Sequence, residues 1–92
     1  MTADDQPVPL PIDGVLDLHT FRPTDVKDVV VEYLAECRAR GIRRVRIIHG
    51  KGMGNLRRTV QALLAREPGV IEFHPASEHL GGWGATIVTL QP

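Results

Sequence analysis

The chain has 92 residues, of which 42% are hydrophobic, so it is expected to form one small domain with one modest core. Its 11 basic and 11 acidic side chains give a formal net charge of zero, which argues against strong non-specific binding to nucleic acid. The one cysteine, Cys37, excludes an intramolecular disulfide, and no apolar run of about 18 residues could span a membrane. Because the chain begins without a basic segment followed by an apolar one, we expect a cytoplasmic protein.

The first part of the chain predicts an extended arm, a strand and a helix. Residues 1–13 hold three prolines among acidic side chains, which indicates an extended N-terminal arm before a single domain over residues 14–92. Residues 15–18 are apolar apart from one carboxylate, and their alternation predicts a strand with one buried face. Apolar side chains at helical spacing over residues 23–37 predict the first helix, and Gly41 is placed to cap its C-terminal end.

The second part of the chain predicts a further helix and three strands. Residues 44–48 are rich in β-branched side chains and predict strand two, and the glycine-rich stretch HGKGMG follows over residues 49–54. Helical periodicity over residues 56–66 predicts the second helix. Residues 70–74 and 85–90 predict strands three and four, so the element order is β-α-β-α-β-β.

This order predicts an α/β fold of the two-layer α+β sandwich type. Both β-α-β crossovers should be right-handed, so both helices are expected on one face of a four-stranded mixed sheet, with the other face open. Ends of parallel strands meet at one edge, which brings together Asp17 and His19 after strand one and His49 after strand two. The segment 82–84, before strand four, reaches the same edge if that strand is antiparallel. Ligands in open α/β sheets bind at such an edge, so we expect the site there.

The stretch HGKGMG has the features of an anion site. Its three glycines, Gly50, Gly52 and Gly54, lie where a strand turns into a helix, and glycine lets the backbone adopt positive φ and approach a ligand. The first N–H groups of the next helix have no internal partners and favour phosphate. Lys51 would add a positive charge, and His49 could move a proton beside that phosphate. The alternative is a glycine-rich turn that binds no ligand.

Basic side chains are concentrated in the middle of the chain. Residues 38–66 contain nine arginines and lysines and no acidic residue, so a chain that is neutral overall can still carry a basic face. We expect one positive surface that contacts phosphates, formed by Arg46, Lys51, Arg57 and Arg58. The alternative is that these charges are the ordinary solvated ends of helices.

Three stretches together resemble the motifs of the Smr domain, the small MutS-related domain found at the end of MutS2 proteins and in short stand-alone proteins. They are LDLH over residues 16–19, HGKG over residues 49–52 and GGWGAT over residues 81–86. The resemblance runs from about residue 14 to residue 90 and is closest to the stand-alone short form. It implies a fold like the C-terminal domain of bacterial translation initiation factor three, with strand order 1-2-4-3 and strand four antiparallel.

The resemblance also implies an activity, because the family is associated with nicking or cleaving nucleic acid and, in some members, with RNA cleavage at stalled ribosomes. Asp17 and His19 match the LDLH motif, which the family links to catalysis. His49, Gly50 and Gly52 match its HGxG motif. The chain departs from the pattern after His19, where a threonine stands in place of the usual glycine and is expected to change the turn after strand one.

The first hypothesis is an endonuclease, which must hold a phosphate, activate a nucleophile and protonate a leaving oxygen. The HGKGMG backbone would hold the phosphate, and Asp17, His19 and His49 are the catalytic candidates. If RNA is the substrate, its own 2′-hydroxyl could attack and no metal would be needed. Two alternatives remain: Asp17 pairs with Arg46 on the neighbouring strand, and both histidines are turn residues bonded to backbone.

The second hypothesis is a non-catalytic module that binds nucleic acid or the ribosome through the same basic face. Trp83, which lies between Gly82 and Gly84, would stack on an exposed base or else pack across the loop. A third hypothesis is a metal site, but neither the HExxH pattern nor the paired-cysteine pattern of zinc sites is present. Magnesium is the remaining cofactor candidate, although a single carboxylate is a thin ligand set.

Overall fold

The computed structural model describes residues 11–92, so most of the arm predicted over residues 1–13 lies outside the described part of the chain. Within residues 11–92 the fold consists of four strands, two α-helices and short 3₁₀ turns. Their bounds are β1 Val15–Asp17, α1 Val26–Ala39, β2 Arg44–Ile48, α2 Asn55–Leu64, β3 Val70–Pro75 and β4 Ala85–Leu90. The 3₁₀ turns are Leu18–Thr20, Pro23–Asp25, Glu78–Leu80 and Gly82–Gly84.

The four strands form one mixed sheet in the order β1-β2-β4-β3. β1 and β2 are parallel, whereas β4 runs antiparallel to both of its neighbours, β2 and β3. The pairing of β3 with β4 contains a register shift between Val70 and Glu72. The mixed sheet and its 1-2-4-3 order are therefore confirmed, and the end of β2 lies beside the start of β4.

Both helices pack on the same face of the sheet, as predicted, because their apolar stripes enter one common core. The alternating side chains Leu16, Val45, Ile47 and Val88 supply the sheet half of this core. The helical half comes from Val26, Val30, Tyr33, Leu34 and Cys37 of α1 and Val60, Leu63 and Leu64 of α2. Within residues 11–92, no helix is long and apolar enough to cross a membrane.

Helix α1 ends at a glycine, as the sequence predicts. Gly41 has φ of 78° and its N–H donates to the carbonyl of Arg38 at 3.1 Å. The N–H of Ile42 donates to the carbonyl of Cys37 at 2.8 Å, which completes a Schellman motif. Burial raises the pKa of the Cys37 thiol, so this side chain is a packing residue of the core.

The face of the sheet opposite the helices is partly covered, whereas the sequence predicted an open face. Ala76, Ala85 and Ile87 form a small buried cluster there, against which Ile48 packs. The cover comes from the connection between β3 and β4, and the guanidinium of Arg46 donates to the carbonyl of Leu80 in it at 3.2 Å. The physical reason is that β4 is a central strand with apolar side chains on both faces, and each face needs a partner.

Candidate functional site

Asp17 and His19 form a bonded pair where β1 ends. The Asp17 Oδ1 accepts the backbone N–H of His19 at 2.9 Å and lies 2.6 Å from the His19 Nδ1. The backbone N–H of His19 is the main cause that lowers the pKa of the Asp17 carboxyl below its usual value. Because the ionised carboxylate only accepts, Nδ1 carries a proton, and the Nε2 of the exposed His19 ring has no hydrogen-bond partner within residues 11–92. We call this arrangement the Asp17–His19 pair.

The alternative that Asp17 pairs with Arg46 is wrong. In the parallel register of β1 and β2, Asp17 lies opposite Ile48 and Arg46 lies opposite Val15, so the two charged residues are offset along the sheet. Arg46 instead donates to the carbonyl of Leu80. It lines a cleft of about 280 Å³ on the sheet face away from the helices. The other basic candidates, Lys51, Arg57 and Arg58, do not line this cleft.

His49 is a buried residue, although it belongs to a glycine-rich loop. Its side chain is only 6% exposed, its Nδ1 lies 3.1 Å from the carbonyl of Gly50, and its Nε2 lies 2.9 Å from the Thr86 Oγ1. A carbonyl can only accept, so Nδ1 is protonated and Nε2 accepts the Thr86 hydroxyl. Burial lowers the pKa of His49 below its usual value, and the charge of Arg57 acts in the same direction. The ring is therefore neutral and held at both nitrogens.

Thr86 is a site residue that reasoning from the sequence missed. It lies on β4 and is fully buried, and its hydroxyl donates a hydrogen bond to the Nε2 of His49. Two signals were available in the chain. His49 continues the buried alternation of Val45 and Ile47, and Thr86 is a polar residue in phase with the buried Val88. The two side chains therefore meet on the helix-covered face of the sheet.

The HGKG and GGWGAT stretches are joined by backbone hydrogen bonds, and the LDLH stretch approaches them through the side chain of His19. The carbonyl of Gly84 accepts both the N–H of His49 at 3.0 Å and the N–H of Gly50 at 2.9 Å. Gly50 has φ of +85°, and a Cβ added there would lie 3.4 Å from the His19 Nε2. The free nitrogen of His19 therefore faces the backbone of the HGKG loop, at a position where only glycine is unstrained.

The start of α2 presents an uncapped, positively polarised helix end. Gly54 is the N-cap residue, with φ of 80° and no side-chain cap bond, and the first turn has no acidic residue. Gly52, with φ of 24°, also takes a left-handed conformation in the loop. The guanidinium of Arg58 folds back onto the carbonyls of Met53 at 3.3 Å and Gly54 at 3.4 Å. Free N–H groups, a helix dipole and a nearby cation together favour an anion.

A basic cleft lies between this helix start and the turn that carries Trp83. The cleft is about 310 Å³ and is lined by Lys51, Gly52, Met53, Gly54, Arg57 and Trp83. The Arg57 Cζ lies 4.8 Å from the centroid of the Trp83 ring, and Trp83 remains 63% exposed. The structure thus brings Lys51, Arg57 and Arg58 together around the loop, and Gly82 lies on the other side of Trp83.

The described residues do not fit a protein-held metal. Within residues 11–92, no group of three or more His, Cys, Asp or Glu side chains gathers where it could hold an ion. The Oδ1 of Asp17, the candidate ligand for magnesium, is taken by two bonds from His19.

The family model of the Smr domain matches residues 16–91. The chain belongs to the Smr domain family. It is 41% identical to the endonuclease MutS2 of Thermus thermophilus over an aligned segment of 77 residues. This segment makes up 84% of this chain and 10% of that protein. It is 32% identical to the ribosome rescue factor SmrB of Tolumonas auensis over an aligned segment of 79 residues. This segment makes up 86% of this chain and 45% of that protein. The chain thus spans about a tenth of the length of the MutS2 proteins that it matches.

Two solved structures share the fold. The Smr domain of Thermus thermophilus MutS2 superposes with a TM-score of 0.82 at 35% identity, covering 87% of this chain and 100% of that one. YdaL, a stand-alone small MutS-related protein from Escherichia coli, gives a TM-score of 0.78 at 30% identity, covering 86% of this chain and 65% of that one. The resemblance to the Smr family and the fold that it implied are therefore confirmed.

Proposed function

We propose that this chain binds nucleic acid and cleaves its phosphodiester backbone at the Asp17–His19 pair. The observation that carries this proposal is the free Nε2 of His19, which faces the backbone of Gly50 beside the uncapped start of α2. The group proposed to transfer the proton thus faces the first residues of the loop that leads to the proposed anion site. The names of two relatives, endonuclease MutS2 and ribosome rescue factor SmrB, support a nucleic-acid substrate, and they make ribosome-associated RNA in the cytoplasm one candidate.

The phosphate would be held by the loop that runs from Gly50 to Gly54. Backbone N–H groups at a helix start point toward a bound anion, and the helix dipole favours its negative charge. Lys51 and Arg57 line the cleft beside the loop and would neutralise the charge that develops in the transition state. Arg58 would act more indirectly, since its guanidinium is engaged with loop carbonyls and holds their positions.

His19 would transfer the proton, and Asp17 would stabilise the imidazolium that forms. On RNA, the Nε2 takes the proton of the 2′-hydroxyl as its oxygen attacks phosphorus, and the same proton then passes to the departing 5′-oxygen. The products are a 2′,3′-cyclic phosphate and a free 5′-hydroxyl, so no further reactant is consumed. On DNA, a water would be deprotonated instead, its oxygen would attack phosphorus, and the proton would pass to the departing sugar oxygen. The carboxylate at Nδ1 fixes the tautomer that leaves Nε2 available.

His49 would position the loop, although the sequence made it a catalytic candidate. Both of its ring nitrogens are bonded and the side chain is buried, so neither nitrogen reaches a substrate. Its bonds to Gly50 and Thr86 fix the backbone that faces His19. A non-catalytic binding module is the second candidate function, and the burial of His49 favours it because the site then has one proton carrier rather than two.

Cleavage of end-labelled RNA and DNA, with magnesium and with chelator, tests the proposal. The wild-type chain should cleave, and His19→Ala should lose cleavage by roughly 10²–10⁴-fold while it still binds. Asp17→Asn should also lose cleavage, since an amide can present an N–H to Nδ1 and reverse the tautomer. His74→Ala, an exposed histidine on the edge strand β3, is the matched control and should cleave normally.

Three outcomes separate the candidate functions. Cleavage that copurifies with the protein and disappears in His19→Ala supports the endonuclease. Binding that is retained by every variant, without cleavage by the wild-type chain under either condition, supports the binding module. Cleavage that is unchanged in His19→Ala contradicts the assignment of the Asp17–His19 pair.

A further inference from the structure

Trp83 stands between two clefts and is largely exposed, which is unusual for so large an apolar side chain. The first cleft is the basic one that Lys51 and Arg57 line. The second is about 450 Å³ and is lined by Lys51, Glu78, Gly81, Gly82 and Trp83. The indole therefore forms a wall of both clefts, and Lys51 contributes to both.

The turn that carries Trp83 is fixed by its own backbone hydrogen bonds. Gly81 and Gly82 take left-handed conformations, with φ of 114° and 53°. The N–H of Gly82 donates to the carbonyl of Ser77 at 2.8 Å, and the N–H of Gly84 donates to the carbonyl of Gly81 at 2.9 Å. The guanidinium of Arg57 lies over the ring, with its Cζ 4.8 Å from the ring centroid, and this cation–π contact favours the observed orientation of the indole.

The second cleft combines a flat aromatic wall with a single acceptor. Its two glycines have no side chains to fill the space beside the ring. Glu78 carries a carboxylate, which when ionised can only accept hydrogen bonds. An aromatic face together with an acceptor is the arrangement by which proteins hold an unpaired base, which stacks and presents its Watson–Crick edge.

We infer that Trp83 and Glu78 form a subsite for one unpaired guanine, and this inference rests on the proposed binding of nucleic acid at the adjacent loop. Guanine presents two neighbouring donors, the N1–H and the 2-amino group, which match the two oxygens of a carboxylate. Uracil presents one N–H between two carbonyls, which a carboxylate repels. In a duplex, both guanine donors are bonded to cytosine, so the subsite selects single strands of RNA or DNA. Lys51, shared by the two clefts, would hold the phosphate between them.

Trp83 is the only tryptophan of the chain, so its fluorescence reports this subsite alone. The probes are single-stranded oligonucleotides with one guanine among uracils or thymines, the same strands with inosine, which lacks the 2-amino group, and a blunt duplex of equal length. RNA and DNA versions distinguish the two sources of the base. The full chain carrying His19→Ala is used throughout, so that cleavage does not remove the probe. Guanine strands should quench the indole and bind more tightly than inosine strands, while the duplex should not quench it.

Variants distinguish the contribution of base stacking on Trp83 from that of hydrogen bonds to Glu78. The affinity of each variant for the oligonucleotides is measured by fluorescence anisotropy of labelled probes. Trp83→Leu should weaken binding of guanine strands roughly 5- to 100-fold, and Trp83→Phe should recover most of that loss. Glu78→Gln should abolish the preference for guanine over inosine, whereas Glu72→Gln, an exposed glutamate on β3, should keep it. Equal affinity for guanine and uracil strands, or equal quenching by the duplex, would overturn the subsite while leaving the proposed function standing. No binding of any probe at low salt would overturn both.

Discussion

Replacing Thr86 by valine tests the buried contact that holds the HGKG loop. The Thr86 side chain is fully buried, and its hydroxyl is the partner of the His49 Nε2 at 2.9 Å. Valine keeps the shape of threonine but removes the hydroxyl, so Nε2 becomes a buried acceptor without a partner. Such a group costs about 1–3 kcal/mol, which for a domain of this size lowers Tm by roughly 4–8 °C per kcal/mol. We therefore expect Thr86→Val to melt about 5–20 °C below the wild-type chain.

The assay is thermal and urea unfolding above neutral pH, where His49 is neutral in both folded and unfolded chains. Thr89→Val is the matched control, because Thr89 lies on the same strand but is partly exposed. The control should change the free energy of unfolding by less than about 0.5 kcal/mol. Because the His49 ring also fixes the loop backbone, Thr86→Val should weaken phosphate binding as well. A Thr86→Val protein that is as stable as the wild-type chain would refute the contact.

Two further predictions concern protons and salt. Burial lowers the pKa of His49 below its usual 6.5. As the pH drops below 6.5, His49 is therefore protonated more readily in the unfolded chain than in the folded chain. The free energy of unfolding should then decrease as the pH falls. Unfolding of wild-type and His49→Gln chains across this range checks it: the variant should show a flatter pH dependence, and an unchanged slope would contradict the burial argument. Lys51→Ala should lower affinity for all nucleic-acid sequences and flatten the salt dependence by roughly one unit in log–log slope. Lys27→Ala on α1 is the control, and an equal effect there would mean that the charge acts only through the net charge of the chain.

The fold was predictable because the helix period and the strand period are both clear in this chain. Alternation predicted the buried Leu16 and Leu18 and the exposed Asp17 and His19, although Leu18 and His19 lie in the 3₁₀ turn that follows β1 and not in the strand itself. Helical spacing gave the core face of both helices, and a glycine marked the end of α1. The order 1-2-4-3 did not follow from these patterns, since β3 could pair at either edge; it followed from the resemblance to the Smr family.

The site was less predictable because its decisive contacts are made between strands that are distant in sequence. The bond between His49 and Thr86 spans 37 positions. The partner of Arg46 depended on how the connection between β3 and β4 folds over the sheet, which neither periodicity nor composition specifies. Asp17 took its partner from its own turn rather than from the neighbouring strand, because a carboxylate at a strand end readily caps the 3₁₀ turn that follows.

The two histidines of the site have opposite environments, because His49 continues the buried alternation of β2 whereas His19 lies in the 3₁₀ turn that follows β1. His49 is in phase with the buried Val45 and Ile47, so it enters the core face, becomes neutral and fixes the loop. His19 lies in the 3₁₀ turn Leu18–Thr20 that the Asp17 side chain caps, so it stays in solvent beside a carboxylate. A shift of one residue in the register of β2 would move His49 to the other face and leave Thr86 unpaired. The pairing of β2 with β4 therefore keeps His49 beside Thr86 on the helix-covered face, whereas the turn after β1 leaves His19 in solvent, which is the difference that the proposed roles of the two histidines require.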